Sequence, residues 1–147
     1  MRRYRYKIIG IVIAALFIGG SALQTIGQTY TEEDLKKADA AGMGAHKKGE
    51  YAKMAEAFTL SAAICEQLYG REHAETATRY NNLGFTYVSM GNFEKAIEFF
   101  DKALSIQLKM PGEHFSDLVP TYNNIGYAYY SKGDYERALE YYRKNLG

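Results

Sequence analysis

The middle of the chain places apolar residues at the spacing of one helical face. A first stripe follows the i, i+3, i+4, i+7 pattern that predicts an amphipathic helix, at Tyr80, Leu83, Gly84 and Tyr87. The segment 90–92 interrupts this pattern, and its glycine suits the left-handed backbone with which many helices end. A second helical stripe follows at Phe93, Ala96, Ile97, Phe100 and Leu104. The two stripes predict a helix–turn–helix unit, in which the small residues at 84 and 96 let the helices approach closely.

This unit occurs again 42 residues later along the chain. The segments 79–100 and 121–142 are identical at ten of 22 aligned positions. The later unit repeats both stripes and the glycine between them, at Tyr122, Ile125, Gly126, Tyr129, Gly133, Tyr135, Ala138, Leu139, Tyr142 and Leu146. A degraded earlier copy follows a capping-box start at 31–34 and has matching residues at Gly42, Gly49, Tyr51 and Phe58. One helix pair cannot bury its own apolar face, so the repetition predicts a stack of neighbouring pairs.

The order of large and small residues resembles the tetratricopeptide repeat, through Leu83, Gly84, Tyr87, Ala96, Phe100 and Ala103. The 42-residue period, with GREH at 70–73 and PGEH at 111–114, resembles more particularly the kinesin light chain type of repeat. The resemblance implies an all-α solenoid over residues 31–147, with about three units at 34–76, 77–118 and 119–147. It also implies a non-catalytic interaction module, because members of this family mostly bind peptides or proteins in a concave groove lined by the first helices.

On each first helix, one set of side chains points away from the buried stripe, at 100° per residue. This set resembles the groove-lining positions of the family: Thr78, Asn81, Asn82, Phe85 and Ser89 in the second unit, and Pro120, Asn123, Asn124, Tyr127 and Ser131 in the third. A carboxamide both donates and accepts hydrogen bonds, so these asparagines are predicted to hydrogen-bond the backbone of an extended peptide. Alternatively, they bond a neighbouring helix and fix the stacking. The first unit departs from this pattern, with Asp39 and Ala40 at the asparagine positions.

Three histidines leave a choice between binding and structural roles. His46 and Lys47 occupy groove positions of the first unit, where they either meet an acidic group of a ligand or form an ordinary solvated helix end. His73 and His114 recur at equivalent positions between units, which favours a structural role in these turns over catalysis.

The N-terminus has the layout of an export signal. Four basic residues among the first seven precede an apolar run at 8–18 and small residues at 19–22, as in a secretory signal peptide, here within 1–27. The stretch 8–26 carries no charge and is also about long enough for an uncleaved membrane anchor. A third interpretation, a buried core helix, leaves the basic head without a role. In the first two interpretations the repeats are exported, to a periplasmic, secreted or membrane-anchored location.

Charge and composition exclude several functional classes. The formal net charge is +1, but without the four N-terminal basic residues 14 basic residues stand against 17 acidic ones, which argues against nucleic-acid binding. The single cysteine, Cys65, excludes an intramolecular disulfide and a multi-cysteine zinc site. Cys65 and His73 lack an identifiable orienting partner, and the chain has no HExxH motif or glycine-rich phosphate loop. The sequence therefore predicts no catalysis, no metal and no other cofactor.

The last predicted helix is not followed by a polar capping helix of the kind that closes most repeat arrays. Its apolar residues are ones that a following unit ordinarily covers, at Ala138, Leu139, Tyr142 and Leu146. Such a stripe predicts self-association, a partner, or further repeats in a longer parent protein. Two hypotheses for the whole chain stay open: an exported adaptor that binds a peptide or protein, and a membrane-tethered sensory or assembly segment of a larger system.

Overall fold

A computed structural model describes residues 29–110 and 115–144, without the side chains of 115–117. Six helices account for the regular structure of these ranges: α1 (Glu32–Lys47), α2 (Tyr51–Tyr69), α3 (Ala74–Ser89), α4 (Phe93–Gln107), α5 (Phe115–Lys132) and α6 (Tyr135–Arg143). Each helix packs on the next along the chain, and α3 also touches α5. Three helix pairs are therefore stacked in chain order, and the predicted all-α repeat solenoid is confirmed.

The signal peptide or anchor predicted at 1–27 lies outside the described residues. Within the ranges 29–110 and 115–144, no helix has the length and apolar character needed to cross a bilayer.

Polar side chains and glycines set the ends of the helices. The capping box predicted for α1 is present, because the Asp34 N–H donates to Thr31 Oγ1 at 3.3 Å and the Thr31 N–H donates to Asp34 Oδ2 at 2.9 Å. The bonds from Thr31 lower the pKa of the Asp34 carboxyl. Between α3 and α4, Gly91 has φ +73°, a backbone conformation that disfavours any side chain. The turn predicted at this glycine therefore forms and reverses the chain within the second pair.

An aromatic ring packed over a glycine joins the two helices of each pair. In the first pair, a Cβ built on Gly42 would lie 2.6 Å from Cε1 of the Phe58 ring, closer than real Cβ contacts. The same contact recurs in the second and third pairs, between Gly84 and Phe100 and between Gly126 and Tyr142. The close helix approach predicted from the small residues is thus present in all three pairs.

A charged contact joins the first helices of the first and second pairs. Arg79 of α3 donates from Nη2 to Asp39 Oδ2 of α1 at 2.8 Å, and its Nη1 pairs with Glu75. The other carboxylate oxygen of Asp39 accepts a hydrogen bond from Ser61 Oγ on α2. The carboxylate of Asp39 therefore contacts both α2 and α3, and we call this the first junction.

The equivalent contact between the second and third pairs is neutral. Asn81 of α3 donates from Nδ2 to Thr121 Oγ1 of α5 at 3.2 Å, and Thr121 in turn donates to Gln107 Oε1 of α4 at 2.8 Å. Asn81 is 42 residues after Asp39, and Thr121 is 42 residues after Arg79. This second junction therefore uses the same two positions as the first, with uncharged groups.

The prediction of an uncovered stripe on the last helix is wrong at two of its four residues. Ala138 is buried in the cluster that joins α6 to α5, and the Tyr142 ring packs over the glycine of α5 in its own pair. Leu139 is 50 % exposed, whereas the equivalent Ile97 is only 9 % exposed because α5 lies against it. Leu146 lies outside the described residues. Of the described members, only Leu139 shows the expected exposure.

Candidate binding groove

The residues predicted to line the groove occupy one face of α3 and α5. Its exposed members are Thr78, Phe85, Pro120 and Tyr127. Its half-buried members are Asn82, Ser89, Asn124 and Ser131. This surface, together with the equivalent positions of α1, is called the groove face below. These four pairs of equivalent positions agree in burial between α3 and α5, whereas the remaining pair differs, because Asn81 is half-buried and Asn123 is exposed.

One large apolar side chain from each pair is exposed on the groove face. Met43, Phe85 and Tyr127 are 55 %, 46 % and 53 % exposed and lie 42 residues apart on α1, α3 and α5. The His46 ring meets the Phe85 ring edge-on, with centroids 5.4 Å apart, so the surface is continuous between the first two pairs. We call Met43, Phe85 and Tyr127 the apolar ladder. Met43 was not among the predicted groove residues, although the 42-residue comparison that aligns Phe85 with Tyr127 identifies it.

The asparagines of the groove face are of two kinds. Asn81 forms a hydrogen bond with α5, so this residue has the stacking role that the sequence left open. Its equivalent in the third pair, Asn123, is exposed. The carboxamides of Asn82 and Asn124 form no hydrogen bond with any group in the described part of the chain. The donors and the acceptor of both carboxamides are therefore without an internal partner in the described residues.

The groove face of the second and third pairs is nearly free of charge. Between 78 and 89 the only charged residue is Arg79, which is held in the first junction, and between 120 and 131 there is none. The first pair differs, because Lys36, His46 and Lys47 are exposed there. Binding of an acidic ligand group by His46 and Lys47 stays a prediction.

The nucleophile and base considered in the sequence are placed in structural roles. Cys65 is fully buried, and desolvation raises the pKa of its thiol, so the reactive thiolate is disfavoured. His73 caps α3 by accepting the Glu75 N–H at Nδ1, 3.2 Å away, and its ring stacks on Tyr69. His114 lies outside the described residues. Within those residues, no group of three or more His, Cys, Asp or Glu side chains is arranged to hold a metal ion.

Models of a known protein family match most of the chain. Two tetratricopeptide repeat models match it, one over residues 38–109 and the other over residues 119–146. The chain belongs to the tetratricopeptide repeat family. Members of this family generally act as interaction modules that bind proteins or peptides, and not as enzymes. No curated protein matches the chain.

Solved structures place this tetratricopeptide repeat protein among known helical solenoids. The TPR domain of Arabidopsis FLU superposes with a TM-score of 0.69 at 20 % identity, over 78 % of this chain and 93 % of that one. TPR-like repeats from a Podospora anserina protein described as a kinesin light chain superpose with a TM-score of 0.68 at 19 % identity, over 80 % of this chain and 56 % of that one. MamA superposes with a TM-score of 0.57 at 30 % identity, over 78 % of this chain and 64 % of that one. The resemblance drawn from the sequence is therefore confirmed for the fold.

Proposed function

We propose that this chain is a non-catalytic, exported scaffold that binds a peptide or protein segment of a partner along the groove face. The observation that carries the proposal is the repetition of matching binding groups on α3 and α5. On the groove face, each helix presents one exposed aromatic ring and one carboxamide without an internal partner, Phe85 with Asn82 and Tyr127 with Asn124. An extended chain has unpaired N–H and C=O groups at regular intervals, which suits a surface that repeats in this way.

Capture of a partner by the full-length chain, purified in mild detergent, tests this proposal. We expect the variant Asn82→Ala/Asn124→Ala to lose capture about tenfold, because two hydrogen bonds to the bound backbone disappear. The control, Glu56→Ala/Thr59→Ala, removes two exposed polar side chains from the outer face of α2 and should leave capture unchanged. Both variants must first give the helical circular dichroism of the parent. Equal capture by all three chains contradicts binding at the groove face.

Export rests on the N-terminal segment 1–27, whose basic head and apolar run match a signal peptide. The second candidate is a membrane-tethered sensory or assembly segment of a larger system. The absence of charge across 8–26 favours this candidate, because an uncleaved span needs such a stretch. The intact mass of the mature protein decides between them. Loss of the segment supports the exported adaptor, and retention of residues 1–24 in a membrane fraction supports the tethered segment.

Self-association through α6 is a further part of the proposal. Leu139 and Tyr135 are exposed one helical turn apart on α6. Leu139 is equivalent to Ile97, the residue of α4 that packs against α5. In an antiparallel contact of two α6 helices centred on Leu139, Glu136 of each copy faces Arg143 of the other, so the face is complementary to itself in charge.

Sedimentation equilibrium of the full-length chain in detergent tests this contact. Leu139→Glu should weaken the dimer at least about tenfold, because it places two carboxylates at the centre of an apolar contact. Leu60→Glu is the control, since Leu60 is similarly exposed on α2, 45 % against 50 %, and should have no effect. Glu136→Arg should weaken the dimer, and Glu136→Arg/Arg143→Glu should restore it. A parent chain that is monomeric at high micromolar concentration contradicts the proposal.

A further inference from the structure

Consecutive helix pairs meet through one repeated position on their first helices. Leu83 of α3 is buried in a cluster with residues of the first pair, and Ile125 of α5 is buried in a cluster with residues of the second pair. Ala41 of α1 stands at the same position, 42 residues before Leu83, but it is exposed. The position that packs on the preceding pair in the second and third units is therefore an exposed, small apolar residue in the first.

The surface on which this position packs is exposed at the other end of the stack. Ile97 of α4 shares the cluster of Ile125. Leu139 lies 42 residues after Ile97, on α6, and it is exposed. Leu139 and Ala41 are therefore exposed equivalents of two isoleucines that share one cluster between the second and third pairs.

A ring contact at the edge of the first two pairs has exposed equivalents as well. His46 of the first pair meets the Phe85 ring of α3 edge-on. The equivalent of His46 in the third pair is Tyr130, and the equivalent of Phe85 on α1 is Met43. Both are exposed, at 56 % and 55 %, and a thioether against an aromatic ring is a favourable contact. A methionine therefore suits the place that Phe85 takes, provided that Tyr130 comes from another copy.

Charge marks the same two surfaces. Lys132 at the end of α5 pairs with Glu94 at the start of α4, with Nζ 2.9 Å from Oε1, so this ion pair joins the second and third pairs. The equivalent of Glu94 in the third pair is Glu136, and the equivalent of Lys132 in the first pair is Lys48. Glu136 and Lys48 are exposed, and within the ranges 29–110 and 115–144 neither forms an ion pair. The two surfaces are thus complementary in charge where consecutive pairs already form a bridge.

We propose that copies of this chain stack head to tail, so that the third pair of one copy meets the first pair of the next as consecutive pairs meet within the chain. The trailing face of one copy comprises Tyr130, Glu136 and Leu139, and the leading face of the next comprises Met43, Lys48 and Ala41, in that order of contact. The two faces differ, so the contact is heterologous and leaves one face of each kind open for further copies. Stacking also continues the groove face from Tyr127 of one copy to Met43 of the next.

The head-to-tail contact goes beyond the proposed function, because it needs no bound partner and joins α6 to α1 of another copy. The antiparallel contact proposed above joins two α6 helices and closes at two copies. Both contacts bury Leu139, so one α6 makes only one of them at a time. Glu136 pairs with Lys48 in the head-to-tail contact and with Arg143 in the antiparallel one, so charge substitutions separate the two.

Two variants that each lack one face test the contact by sedimentation equilibrium of the full-length chain in detergent. Leu139→Glu disables the trailing face and the antiparallel contact but keeps the leading face. Ala41→Glu/Arg143→Glu disables the leading face, and its second substitution opposes the antiparallel contact because the new carboxylate faces Glu136 of the other copy. Glutamate is a good helix former and the substituted positions are exposed, so both variants should keep the helical circular dichroism of the parent. Each variant alone should be monomeric, and their equimolar mixture should form a complex of two chains.

Exchange of charge tests the register of the contact. Lys48→Glu, added to the Leu139→Glu chain, should weaken the complex at least about tenfold because a like charge then faces Glu136. A second partner chain, Ala41→Glu/Glu136→Lys, should bind this charge-reversed chain and reject the unreversed one. In this partner chain Glu136→Lys also opposes the antiparallel contact, through repulsion of Arg143.

Lys36→Glu in the Leu139→Glu chain is the matched control, since Lys36 is likewise exposed on α1 and outside any ion pair of the described residues, but lies off the leading face. It should have no effect. A mixture that stays monomeric, or a complex that Lys48→Glu leaves unchanged, would overturn the inference. If the mixture stays monomeric while the parent forms a dimer that responds to Glu136 and Arg143 as proposed above, the antiparallel contact stands alone. If the parent is monomeric as well, both contacts fail.

Discussion

Replacement of Gly42 with alanine is expected to lower the free energy of unfolding by about 2 kcal/mol, although alanine is the better helix former. The new Cβ would lie 2.6 Å from the Phe58 ring, which is buried between α1 and α2 and has little room to retreat. A Cβ this close to a buried ring places the cost of overpacking at the upper end of its usual range, about 3 kcal/mol, and the gain in helix propensity of about 1 kcal/mol reduces this to a net loss of about 2 kcal/mol. Urea denaturation followed by circular dichroism measures the change.

The same helix supplies a matched control. Gly44 lies two residues further along α1, and a Cβ built there meets nothing within 4 Å. Gly44→Ala should therefore stabilise the chain by up to about 1 kcal/mol, which leaves a difference of about 3 kcal/mol between the two substitutions. Phe58→Leu in the Gly42→Ala background should recover part of the loss, with a coupling of at least about 1 kcal/mol between the sites. Equal effects of the two alanines would contradict the glycine–ring account.

The glycine–ring contacts illustrate what the sequence is able to predict. Gly42 and Phe58 are 16 residues apart, and the same separation recurs in the two later units. Both residues fall on apolar stripes of consecutive helices, so periodicity and the intervening turn together indicate that they meet. The fold of each pair follows from such local signals, and the stacking follows from their repetition.

Contacts between pairs depend on information that helical periodicity does not contain. Asn81 and Asn82 are adjacent and differ by 100° on α3, yet one bonds to α5 and the other lies on the groove face without an internal partner. Which of them turns towards the next pair depends on the angle between pairs, which no single helix encodes. The error at Ala138 has the same origin, because an apolar stripe does not show which of two neighbours each residue faces. The position of Met43 in the apolar ladder, in contrast, follows from the 42-residue repeat alignment alone.

Arg79→Met is expected to destabilise the chain by about 2 kcal/mol, because it leaves the Asp39 carboxylate in the first junction without its cation. The Arg79 and Asp39 side chains are only 13 % and 22 % exposed, so water screens their interaction weakly. Methionine keeps most of the apolar volume of the arginine stem, which limits any loss of packing. The control is Arg71→Met, since Arg71 pairs with Glu66 at 3.0 Å but is 84 % exposed. Exposed pairs contribute about 0–1 kcal/mol, so this control should change little.

The second junction shows that the position does not require a charge. Asn81 and Thr121 join α3 to α5 with neutral groups at the positions of Asp39 and Arg79. Asp39→Asn/Arg79→Met should therefore recover most of the loss seen in Arg79→Met, because no unpaired carboxylate remains and Ser61 still has an oxygen to bond. A double variant as unstable as the sum of its single changes would show that the ion pair itself is required.

The same variants test whether the junctions fix the spacing of the groove face. The Asp39–Arg79 bond joins the helices that carry Met43 and Phe85, and the Asn81–Thr121 bond joins those that carry Phe85 and Tyr127. If the first junction sets the distance between the first two ladder residues, Arg79→Met should weaken a ligand that spans all three pairs. A ligand confined to Phe85 and Tyr127 should be unaffected, because the second junction is intact. Equal weakening of both ligands would instead indicate a general loss of folded protein, which the unfolding curves detect independently.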